Sequence, residues 1–318
     1  MLRRTCHLTG TLQKLSIAGL LGLTFYLSWY PRQLKLLVDT KQTAENAFQF
    51  TKSIDLTVFT SRQRQLKEVC LTANLSNIKP PRSVLYSKRL QLAYCPIALT
   101  GSTAFKYSMV KAEKKFITAH NLYNVSYEQA IHSDAQKLSL RSAAEKLNDK
   151  ADILIIVRDP WRRLIGIYRK FIEKTKSSSF YRQSCHRLVG SSQRLTFDKF
   201  LQCIHRAWES KDKFWAHASP ASEICPLCKI KYTKIVQLEN IDSELQALFI
   251  TEEPRSGYKD LMDAFRTCPV HRSTVYDIRP YLKSISQQTI HQIEKIYHRD
   301  FIAFGYPFIG NSSQNRML

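Results

Sequence analysis

An α/β fold with a central, largely parallel sheet is predicted by three features of the sequence. Short apolar runs alternate with longer helical patterns along the chain. Two of those runs end in turns suited to anions, Thr100-Gly101-Ser102-Thr103 and Arg158-Asp159-Pro160. The chain has 318 residues and 44% hydrophobic content, enough to bury a full core around such a sheet.

The elements follow in order. The basic run over 61–70, SRQRQLKEVC, reads as a helix that opens the folded domain, and Lys79-Pro80-Pro81-Arg82 then breaks regular structure. Leu90 to Leu99 reads as a buried strand, followed by the Gly101 turn and a helix near 104–116. A helix is expected over 136–147, ahead of the strand 151–157, ADILIIV. Pro160 suits the first turn of the next helix, and Asp159 suits its N-cap. The polar stretch 176–194 reads as an excursion from the core. Helix 196–208, an alternating strand over 229–238 and an amphipathic helix over 287–304 complete the pattern, and no internal repeat is visible.

In parallel sheets, ligands sit beyond the carboxyl ends of the strands. The Gly101 and Arg158 turns therefore belong to one edge. Gly101 allows close backbone approach, Ser102 and Thr103 add hydroxyls, and a helix N-terminus completes an anion cradle. Arg158 is placed to grip a phosphate. The turn lacks G-x-x-x-x-G-K-[ST], which argues against an NTP-hydrolysing P-loop.

Formal net charge is +22, from 48 Lys+Arg against 26 Asp+Glu. That excess calls for a polyanionic partner: nucleic acid, anionic membrane or acidic polysaccharide. The stretch from Leu15 to Tyr30 carries no charge and is bracketed by Lys14 and Arg32. It reads as an uncleaved membrane anchor at 15–31, after a cytosolic tail at 1–14 and before a stem at 32–60. The domain is expected over 61–310 on the lumenal side, with a tail at 311–318. Sequons at Asn74, Asn124 and Asn311 agree with a lumenal body. So do seven cysteines beyond the anchor, an odd number that leaves at least one outside any intrachain pairing. In that compartment the basic surface meets acidic glycans rather than nucleic acid. Cys225 and Cys228 read as part of a disulfide framework, and a Cys70–Cys95 bridge would close the entrance to the domain. No metal site is expected.

Four blocks in order resemble the Golgi carbohydrate sulfotransferases that act on chondroitin, dermatan and related glucuronyl glycans. They are Cys95 to Met109, Val157 to Tyr168, His217 to Glu239 and Tyr297 to Tyr306. The resemblance covers about Arg62 to Tyr306. It implies a P-loop-like sulfotransferase fold, a single-pass type II Golgi membrane protein, an acidic glycan or proteoglycan acceptor, and 3′-phosphoadenosine 5′-phosphosulfate (PAPS) as donor. Arg158, with Arg163 in the same turn, falls on the family's 3′-phosphate segment. Gly101, Ser102, Thr103 and Lys106 fall on its 5′-phosphosulfate turn, and Lys106 is also expected to assist the transfer. His217 matches a family histidine and is the first candidate for the base, with His120 and Glu239 as alternatives.

Two positions depart from the family pattern. Ala98-Leu99 stands where the family has Pro-Lys, and Gly166 where it has a serine. These departures motivate a second reading, a sulfotransferase-like fold kept as a basic glycan-binding lumenal protein.

Overall fold

The computed structural model describes residues 56–71, 84–113, 131, 135, 139–140, 151–174, 180–190, 195–212, 215–252, 257–268 and 277–310. All lie in one compact unit, Ile54–Leu318. The segment 15–31, the three sequons and His120 lie outside the described residues. Among the described residues no helix is long and apolar enough to cross a membrane.

Five strands form one sheet: β1 (Val84–Ser87), β2 (Leu92–Cys95), β3 (Ser139–Leu140), β4 (Asp152–Val157) and β5 (Lys234–Gln237), in the order β3-β1-β2-β4-β5. The pairs β2/β4 and β4/β5 are parallel, whereas β1 pairs antiparallel with both β2 and β3. The sheet is therefore mixed. Its parallel half carries the two anion turns, and a hairpin extends the other edge. The helix expected over 136–147 gives way at Ser139–Leu140 to an edge strand on Val84–Leu85. A local helical pattern cannot reveal such a long-range pairing.

Strand alternation divides the core. Leu92, Tyr94, Leu154, Ile156 and Val236 face one apolar cluster, and Ala93, Cys95, Ile153, Ile155 and Ile235 face another. β4 is buried on both faces, which explains why DILIIV is a continuous apolar run. Helix α1 (Thr57–Leu71) lies beside β5. There Arg62 donates to the Ile235 carbonyl at 3.0 Å and to both Glu244 oxygens at 2.7 and 2.9 Å.

Helix α2 (Ser102–Ala112) follows β2, and α3 (Pro160–Tyr168) follows β4, running on as a π-helical turn over Arg169–Glu173. The polar stretch expected to be an excursion contains α4 (Phe180–Val189), which packs on α5 (Phe197–Ser210) through a Cys185–Cys203 disulfide. Short helices α6 (Trp215–Ala218) and α7 (Ala221–Ile224) precede β5. Helices α8 (Ile241–Gln246), α9 (Tyr258–Arg266), α10 (Arg279–Leu282) and α11 (Gln287–Phe304) complete the described fold.

The disulfides correct the expected pairing. Cys70 joins Cys228 and Cys95 joins Cys225, so each half of the C-x-x-C pair ties a different element to the same turn. Cys268 is buried and belongs to none of the three bridges.

Candidate functional site

The site lies at the carboxyl ends of β2, β4 and β5. Adjacent parallel pairing brings the Gly101 and Arg158 turns together, and the Arg158 Nη1 donates to the Leu99 carbonyl at 3.1 Å. Arg158 is only 7% exposed. A guanidinium held this far from bulk water interacts strongly with an anion, because screening is weak.

The first turn is shaped by left-handed backbone. Gly101 has φ +76° and caps α2, and a Cβ there would come within 2.9 Å of the Leu238 side chain. Glycine is required on both counts. Leu99 takes φ +66° as well, a conformation that costs a β-carbon-bearing residue about 1–2 kcal/mol. Its partly buried side chain packs against the apolar cluster under α3, α5 and α11. Ser102 and Thr103 begin α2, with Lys106 one turn further on. The N–H groups at this end have no partners within the helix and point where an anion would sit.

The second turn is capped as expected: the Asp159 side chain accepts from the Arg162 N–H at 2.8 Å, with Pro160 in the first turn. Glu239 leaves the end of β5 and accepts from the Asp159 N–H at 3.1 Å and from the Tyr306 hydroxyl at 3.0 Å. Burial, together with the nearby Glu239 charge, raises the Asp159 carboxyl to about 6.

Arg163, expected beside the nucleotide, is directed at backbone. It donates to the carbonyls of Ala98 (3.1 Å), Ser219 (2.8 Å) and His217 (3.2 Å) and is 2% exposed. It thereby joins the first turn to the segment that carries His217. The other face of that segment is held by α11. Tyr297 donates to the Ala218 carbonyl, and the Asp300 carboxylate accepts from the N–H groups of Ala221 (2.6 Å) and Ser222 (2.9 Å). The closing sequence block is thus a clamp on the His217 segment.

The His217 ring is exposed and lies within hydrogen-bond distance of the Tyr181 hydroxyl, 3.1 Å from Nε2. Partial burial, then the charges of Lys170 and Arg163, lower its pKa from the ordinary histidine value. Neutral imidazole is therefore favoured, the form able to accept a proton. Phe171, Tyr181 and Lys170 beside it were not singled out by motif reading, because they lie on elements far apart in sequence. Among the described residues no group of three or more His, Cys, Asp and Glu side chains is arranged to hold a metal ion.

A family sequence model, described as "Sulfotransferase family", matches residues 82–307, more than half of the chain. The chain belongs to the sulfotransferase family. This sulfotransferase is 22% identical over 301 residues to carbohydrate sulfotransferase 10 of Xenopus laevis, covering 86% of the chain and 82% of that protein. It is 21% identical over 241 residues to carbohydrate sulfotransferase 9 of Homo sapiens, covering 69% of the chain and 52% of that protein, about half the relative's length. No solved structure matches it. The match starts before β1 and ends at the clamp, so it contains the whole strand-end site of the sulfotransferase.

Proposed function

We propose that this chain transfers a sulfuryl group from PAPS to a hydroxyl of a carbohydrate acceptor. The observation that carries the reading is the joining of two anion turns at adjacent strand ends by the Arg158–Leu99 hydrogen bond. A left-handed glycine, a helix N-terminus and a nearly buried guanidinium suit a nucleotide with phosphates at both ends of its ribose.

In this reading Arg158 binds the 3′-phosphate, while the amides over Gly101 to Thr103, with Lys106, hold the 5′-phosphosulfate. When bound, PAPS supplies the sulfuryl group, its bond to the 5′-phosphate oxygen breaking as the acceptor oxygen's bond to sulfur forms. His217 takes the acceptor hydroxyl proton. Lys106 offsets the charge that develops toward the leaving phosphate. Arg163 positions the donor turn and the histidine segment relative to each other. The acceptor is an acidic glycan or proteoglycan, which the +22 net charge favours. The segment 15–31 anchors the protein in the Golgi membrane in type II orientation, with the site lumenal. Cys70–Cys228 and Cys95–Cys225 are the bridges such a compartment sustains.

Incubating the full chain with radiolabelled PAPS and desulfated glycans tests the reading. Label on a glycan, lost in Arg158→Ala, is the expected result; no label on any glycan overturns it. The side chain of Leu99 favours a second reading, a glycan-binding protein without transfer. It packs on the core where the family carries a lysine. That reading requires adenosine 3′,5′-bisphosphate not to bind, which calorimetry decides.

A further inference from the structure

Around His217, outside the anion turns, lies a cluster that donor binding does not use. Phe171 and Tyr181 have ring centroids 4.3 Å apart. The His217 ring stands edge-on to both, 5.7 Å from Phe171 and 5.2 Å from Tyr181. Lys170 lies over the Phe171 ring at 5.6 Å. His217 and Lys170 are exposed, and Phe171 and Tyr181 are partly so.

The backbone accounts for this meeting. Lys170 and Phe171 fall in the π-helical turn that continues α3. A π turn inserts an extra residue, which shifts the side chains after it around the helix axis, and such turns recur at functional sites. Tyr181 comes from the first turn of α4, and His217 from the segment clamped by Arg163, Tyr297 and Asp300.

We infer that Phe171, Tyr181, His217 and Lys170 form the acceptor subsite, a platform that takes a uronic-acid-type sugar with its ring on the aromatic faces and its carboxylate toward Lys170. This rests on the reading of the chain as a carbohydrate sulfotransferase. Aromatic faces are electron-rich and attract the slightly positive C–H groups of a sugar ring. Lys170 provides a cation for the carboxylate. The nearby acid Glu173 is engaged by Arg169 at 3.6 Å and by the Tyr281 hydroxyl at 3.1 Å. Position agrees with chemistry. The His217 carbonyl and the donor-turn carbonyl of Ala98 share the Arg163 guanidinium, so a sugar on the platform lies next to the proposed donor site.

The test uses the full chain and two probes. One is a non-sulfated chondroitin hexasaccharide, and the other is the same oligosaccharide with its uronic carboxyls reduced to alcohols. Binding is measured by calorimetry without nucleotide, and adenosine 3′,5′-bisphosphate affinity is measured separately. Lys170→Gln is expected to weaken hexasaccharide binding about threefold to fivefold, with little effect on the reduced probe. Phe171→Leu, which keeps an apolar side chain, is expected to weaken both probes about fivefold or more. Nucleotide affinity should stay within about twofold in both variants. Hexasaccharide binding equal to wild type in both variants, or none to the wild type, overturns the subsite. Loss of nucleotide binding in the wild type overturns the sulfotransferase reading instead, while the oligosaccharide measurements still decide the platform.

Discussion

Arg163 and His217 are joined through backbone: the Arg163 Nη2 donates to the His217 carbonyl at 3.2 Å, while its Nε reaches Ala98 at 3.1 Å. One buried side chain therefore fixes the spacing between the donor turn and the candidate base. Transfer reactions depend on such spacing, since displacements near 1 Å can cost about a hundredfold in rate.

Arg163→Met should leave three carbonyls without their donor and the Asp300 carboxylate without a nearby cation. A loss of about 3–5 kcal/mol in urea unfolding is expected. Arg163→Lys should recover only part of it, because one ammonium cannot reach three diverging acceptors.

Arg158→Ala should weaken adenosine 3′,5′-bisphosphate by about tenfold to a hundredfold, the equivalent of about 1.5–3 kcal/mol for bonds to a charged group. Calorimetry reads this directly, and unchanged affinity would remove Arg158 from the donor site.

Gly101→Ala places a Cβ at φ +76° and 2.9 Å from the Leu238 side chain. A stability loss of about 1–2 kcal/mol is expected, accompanied by weaker nucleotide binding as the turn shifts. Gly190, at φ +63° with nothing within 4 Å of a Cβ, is the control: Gly190→Ala should cost stability without touching nucleotide affinity.

The His217 pKa is lowered, so the neutral base persists to more acidic pH than for an ordinary histidine near 6.5. The acidic limb of kcat/KM should lie below that value and disappear in His217→Gln, with a rate loss of about 10²–10⁴-fold. A limb that survives the substitution would assign the base elsewhere, Glu239 first.

Asp159 has the opposite sign. Its carboxyl titrates at about 6 in the fold against about 3.9 unfolded, so the native state binds the proton more tightly. The stability this confers is complete below about pH 3.9 and is lost as pH rises through about 6. Asp159→Asn keeps the helix cap and should flatten that part of the profile in thermal melts. An unchanged profile would refute the shift.

Much of this protein was legible from local chemistry. The run DILIIV can only be a doubly buried strand, Asp159-Pro160 begins a helix, and Ser286 caps a helix that ends at Gly305, as the 287–304 pattern indicates. The two anion turns were likewise visible, since glycine and arginine at strand ends carry their chemistry in a few consecutive residues. Tertiary structure alone decided the rest. It paired Cys70 with Cys228 rather than Cys95, turned Ser139–Leu140 into an edge strand, and aimed Arg163 at backbone. It also gathered Phe171, Tyr181 and His217 around one another. The physical reason is range. Caps, turns and periodicity are settled within a helical turn of the chain, whereas disulfides, sheet edges and ring clusters depend on which distant segments the core brings together.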